Sequence, residues 1–155
     1  MTKLLLSLHV LASVLAIGPV TVAASMFPKA LRHVHSDPGH REALTNLRLL
    51  HRICRVYAAI GIAVPVFGFA TASSLGVLGS GWLITSILLT AAAAATLALL
   101  ILPAQDRALA TAQTPGPSPG PRSAGRLAMH TGVFNLLWAT VTILMIIRPG
   151  STTGA

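Results

Sequence analysis

Charged side chains fall in clumps along this chain, and long apolar stretches separate the clumps. Lys3 and Lys29 are separated by 25 uncharged residues, Arg55 and Asp106 by 50, and Arg126 and Arg148 by 21. A bilayer's hydrocarbon core is about 30 Å thick and is crossed by roughly 20 helical residues, so each stretch is long enough to span. As a single helix the longest would run to roughly 75 Å at about 1.5 Å per residue, which predicts two helices with a turn between them. Ser73, Ser74, Gly76, Gly79, Ser80 and Gly81 supply the turn, being residues that leave helices readily. Trp82 follows, in a place suited to an interfacial aromatic. Barrel strands would alternate polar and apolar residues; these stretches are apolar all round, and helices satisfy the backbone within each span. The pattern predicts an all-α integral membrane bundle of four transmembrane helices, with spans at about 4–27, 56–72, 82–102 and 127–147.

Finer features refine this outline. In the first span Gly18 and Pro19 predict a bend, and Pro28 marks its end. Ala12, Ala16 and Ala24 share one face there and suit close helix packing. Residues 28–55 read as a basic loop leading into a surface helix, with Asp37 as cap and Pro38 as a helix start. On a helical wheel Arg41, Arg48, His51, Arg52 and Arg55 occupy one third of that helix, opposite Ala43, Leu47, Leu50, Ile53 and Cys54. Anionic lipid headgroups are the expected partner of such a basic face. Pro65 lies inside the second span, and the third carries the run from Ala91 to Ala95, small residues suited to packing. Residues 112–125 read as a Pro/Gly/Ser linker: Pro115, Pro117, Pro119 and Pro121 alternate with no pair three apart, so the usual SH3-ligand spacing is missing. Residues 151–155 read as a disordered tail.

Composition agrees with the pattern. Of 155 residues, 54% are hydrophobic and 9% charged, against about 25% charged in soluble domains. Charge also sets an orientation, because basic loops stay in the cytoplasm. Lys29, Arg32, Arg41, Arg48, Arg52, Arg55, Arg107, Arg122 and Arg126 fall at one end of the predicted bundle, and Lys3 and Arg148 at the other. The expectation is N-out/C-out. Residues 4–17, followed by Val22, Ala23 and Ala24, also resemble a signal peptide. Its cleavage would strand six basic residues outside, so retention of the first helix is favoured. The net charge of +8 is explained by the basic loops, and nucleic acid is not an expected partner. Single Cys54 admits no intrachain disulfide and reads as a small apolar filler. Nine Arg against two Lys, with abundant Ala, suggests a high-GC bacterial genome and hence the bacterial plasma membrane.

Candidate chemistry is sparse. The three acidic residues, Asp37, Glu42 and Asp106, all lie outside the spans, so no membrane carboxylate relay is present. No phosphate loop, HExxH or CxxC motif occurs. Histidine remains. His9 in the first span and His130 in the fourth lie at opposite faces, on the order of 15 to 20 Å apart in depth. His9 has Met145 at similar depth, a ligand pair suited to haem or copper; the alternative is a hydrogen bond from His9 to a backbone carbonyl or a hydroxyl such as that of Ser13. His51, Cys54 and His130 form a candidate zinc or copper set at the other face, with His33, His35 and His40 in the adjoining loop. Asn135, the one amide within a predicted span, is expected to bond to another helix.

The stretches LLLSLHVLASVLAIGP, residues 4–19, and NLLWATVTILMIIRPG, residues 135–150, resemble a bacterial family of small predicted integral membrane proteins of unknown function. That resemblance implies location. His9 followed by small residues is distantly similar to helices of the copper-resistance D family, although this chain lacks an outer segment rich in Met or His. Together the readings favour a noncatalytic accessory or scaffolding subunit, packing with another membrane protein or with itself. Alternatives are a haem- or metal-binding redox or copper-handling protein using His9, and a small oligomeric transporter.

Overall fold

The computed structural model describes residues 1–36, 41–113 and 121–150, and among them every regular element is a helix. Helix α1 covers Thr2–Ser36. Helices α2 (Arg41–Ile60) and α3 (Ala63–Leu75) follow one another closely. Helix α4 (Gly81–Ala95) passes through a π-helical segment, Thr96–Ile101, into α5 (Leu102–Gln113). Helix α6 covers Pro121–Ile147. Four helical stretches, Thr2–Val34, Arg41–Leu75, Gly81–Gln113 and Arg122–Ile147, are long and apolar enough to cross a membrane. The four-span architecture is the one the spacing of charges predicts.

Each interruption has a local cause. Pro65 has no N–H to offer the Gly61 carbonyl four residues back, and its ring crowds that oxygen. The chain therefore turns through Gly61 and Ile62, with Val64 N–H on Gly61 O at 3.1 Å. At the end of α3, Gly76 takes a left-handed φ of 67°, while its N–H bonds to Ser73 O and that of Val77 to Ala72 O. This double closure is a Schellman cap, which favours glycine at that position. In the π segment, Leu102 N–H reaches back five residues to Leu97 O. Pro103 comes next and offers no N–H, and the wider turn accommodates its ring.

Several boundaries differ from the sequence reading. Helix α1 does not stop at Pro28 but continues to Ser36. Beyond the proline, Ala30, Leu31 and Val34 are buried in one cluster with Leu47 and Leu50 of α2. Burying one such leucine or valine is worth about 1.5–3 kcal/mol, enough for a few of them to offset the roughly 3 kcal/mol of an interior proline. The third span extends past residue 102 to Gln113. Residues 121–125, read as linker, are helical. Asp37, Pro38 and His40, the stretch 114–120 and the tail 151–155 lie outside the described residues.

Helix α1 packs on α2, α3, α5 and α6, while α4 and the π segment pack on α6 and α2 packs on α5. The densest core, with Phe27, Leu31, Leu47, Ile101 and Phe134 all buried, lies toward the basic end. At the other end α3 leans on α1 and α4 leans on α6. The two pairs part there and leave a space between them.

Candidate functional site

That space is a cavity of about 1050 Å³ with walls from all four spans, from Leu6 on α1 to Arg148 just beyond α6. Most of the lining is apolar. Several polar groups in it are already committed to their own helices: Ser13 Oγ donates to His9 O at 2.8 Å, Thr71 Oγ1 to Phe67 O at 2.7 Å and Thr142 Oγ1 to Trp138 O at 2.9 Å.

His9 is held differently. Its Nδ1 lies 2.9 Å from Val64 O on α3. Only a protonated Nδ1 can donate to a carbonyl, so for a neutral ring this contact goes with the tautomer in which Nε2 carries the lone pair. The approach depends on Gly68: a Cβ built there would come within 3.0 Å of His9 Cε1 and 3.1 Å of Nδ1. Met145, on α6, lines the same cavity. The structure thus brings His9 and Met145 to one chamber, and gives His9 the backbone-carbonyl partner that was one of its two alternatives.

Trp82 and Trp138 also line the cavity. Both indole Nε1 atoms are buried, and neither has a hydrogen-bond partner. Arg148 takes a left-handed φ of 45°, a conformation costing an ordinary residue roughly 1–2 kcal/mol. Its N–H closes on Leu144 O at 3.0 Å. The guanidinium lies 5.7 Å from the centroid of the Trp82 ring, and its Nε donates to Met145 O at 3.3 Å. Arg148 thereby ties the end of α6 to the start of α4 across the mouth.

At the basic end a buried polar cluster joins the second and third spans. His51 is only 7% exposed, a correction to the helical-wheel reading that put it on the basic face. Its Nδ1 lies 3.0 Å from Gln105 Oε1, and Gln105 Nε2 lies 3.6 Å from Cys54 Sγ. Asp106 Oδ1 stands 2.9 Å from His51 Nε2, yet that nitrogen has no aligned hydrogen-bond partner, so the contact is a close approach of carboxylate to ring and not a hydrogen bond. Among the described residues no three His, Cys, Asp or Glu side chains are grouped to hold a metal ion. His51, Cys54 and His130 therefore do not form the expected ligand set, because Gln105 stands between the first two and occupies both. His130, partly buried, has an unpartnered Nδ1.

The remaining candidates fall as follows. Arg41, Arg48, Arg52 and Arg55 are all exposed along one side of α2, with Leu47, Leu50 and Cys54 buried on the other. Asn135 Nδ2 donates to Ser25 Oγ at 3.1 Å, and beside it Thr131 Oγ1 lies 3.5 Å from Ala24 O, both links running from α6 to α1. Ala16 and Ala24 are buried and Ala12 partly so, whereas in the alanine run Ala93 carries the packing, Ala91 is exposed on the cavity wall and Ala95 faces outward. The residues that sequence reasoning missed are Gln105, Gly68 and Arg148. A lone glutamine beside a predicted span end was a signal for the first; nothing local marked the other two.

The family model described as predicted integral membrane protein (DUF2269) matches residues 3–149. The chain belongs to that family. No curated protein and no solved structure matches it.

Proposed function

We propose that this is a noncatalytic accessory protein of the bacterial plasma membrane that holds a guest between the splayed halves of its bundle. The observation that carries this reading is the cavity of about 1050 Å³ bordered by all four spans. Ligand sites are typically mostly apolar clefts of about 300–1,000 Å³ with a few placed polar groups, and this cavity is slightly larger than the upper end of that range. With its basic loops in the cytoplasm, the bundle opens toward the outer leaflet. The test is native mass spectrometry of the full chain released from native membranes in mild detergent. One retained guest per chain, lost on Ala91→Phe, which adds a ring to the wall, is the expected result. A bare chain in both cases would overturn the reading.

A second reading keeps the cavity and makes its guest haem or copper, with His9 and Met145 as ligands. The favouring observation is the His9–Val64 contact, since a metal-bound imidazole ordinarily donates its other N–H to such a carbonyl. A visible spectrum and elemental analysis decide it: a Soret band, or stoichiometric copper, lost on His9→Ala would favour this reading over the first. A transporter finds less support, because Phe27, Leu47, Ile101 and Phe134 fill the core toward the basic end.

A further inference from the structure

We infer that the guest is an acidic lipid, bound in a single copy with its carboxylate or phosphate against Arg148 and its acyl chain in the crevice. This rests on the reading of the cavity as a guest site and names the chemistry of the guest.

Two features converge. First, Arg148 is a cation at the cavity mouth, and among the described residues no ion pair to it exists; the acidic residues of α2 and α5, Glu42 and Asp106, belong to the basic end. One of its five N–H donors is spent on Met145 O, and the rest of the fork suits an oxyanion. The left-handed backbone and the Trp82 ring hold it in place. Second, the remaining wall is mostly apolar and suits a hydrocarbon chain. A partner's transmembrane helix would match the second feature only, because its backbone carbonyls are consumed internally and it brings no anion to Arg148.

The protein carries its own reporter, since its two tryptophans both line this cavity. The full chain in mild detergent is titrated with three brominated quenchers: phosphatidylglycerol, a free fatty acid and phosphatidylcholine. Saturable quenching at about one equivalent by at least one acidic lipid is expected, with phosphatidylcholine needing at least tenfold more. The stronger of the two acids identifies the headgroup. Arg148→Gln should raise the acidic half-saturation concentration roughly five- to tenfold, the worth of one basic residue at a headgroup, without moving that of phosphatidylcholine. Arg148→Lys should retain most of the selectivity, and Lys3→Gln, at the same face but outside the lining, should change nothing. Saturable quenching that is equal for acidic and zwitterionic lipids, or a Lys3→Gln effect as large as that of Arg148→Gln, would overturn the acidic-lipid inference and leave the guest site standing. Absence of saturable quenching by any of the three would overturn both.

Discussion

The imidazole of His9 occupies the volume that a Cβ on Gly68 would need, with ring atoms 3.0 and 3.1 Å from that position. Gly68 lies one helical turn beyond Val64, whose carbonyl faces His9 Nδ1 at 2.9 Å. The missing side chain is thus what lets a ring from α1 reach the backbone of α3. Gly68→Ala should displace the imidazole, break the contact and destabilise the protein by about 1–3 kcal/mol, the usual cost of overpacking. Thermal unfolding in detergent measures this. In the double variant Gly68→Ala/His9→Ala the two effects should be clearly less than additive, since the residues share one contact; strict additivity would contradict the account.

Gln105 is the bridge between His51 and Cys54. Gln105→Ala should leave the buried His51 Nδ1 without its partner, at a cost of about 1–3 kcal/mol, and loosen the cover over the only thiol. Cys54 is fully buried, so wild-type protein should react slowly with a maleimide and the variant markedly faster. Equal labelling rates would show that the bridge does not secure this end.

In the alanine run the structure separates positions that composition cannot. Ala93 is fully buried while Ala95 faces outward. Ala93→Leu should lower the unfolding midpoint by the equivalent of about 1–3 kcal/mol, and Ala95→Leu should change it little. A large effect at Ala95 would instead reveal a contact between copies of the chain through that face.

The orientation set by the basic residues is tested by single cysteines placed in a Cys54→Ser background. Lys3→Cys and Gly150→Cys should react with a membrane-impermeant maleimide added to intact cells, and Arg107→Cys only after permeabilisation. The reverse pattern would turn the cavity toward the cytoplasm.

What was legible in the sequence is what a membrane imposes locally. The spans show as missing charges, and the turn after α3 shows at Gly76 because a left-handed cap favours glycine. The helix boundaries were less legible. Pro28 is a stop signal that the burial of Leu31 and Val34 overrides, and burial depends on α2, not on neighbouring residues. The site was legible only in fragments. His9 stood out as an ionisable residue in a span, but its partner lies 55 residues away, and Gly68 matters solely because that partner arrives. Gln105 meets His51 across 54 residues, on a stretch rephased by a π segment that no periodicity announced.

Helix α1 packs on elements of all three other spans, and at 35 residues it runs for roughly 50 Å. This gives it an evolutionary liability. A changed side chain on its inner face meets α3 at His9 and α6 at Ala24, so each substitution requires its own compensating change in a separate part of the gene. Family members should therefore diverge fastest along the outward faces of α4 and α6, while α1 changes slowly and in step with the helices it touches.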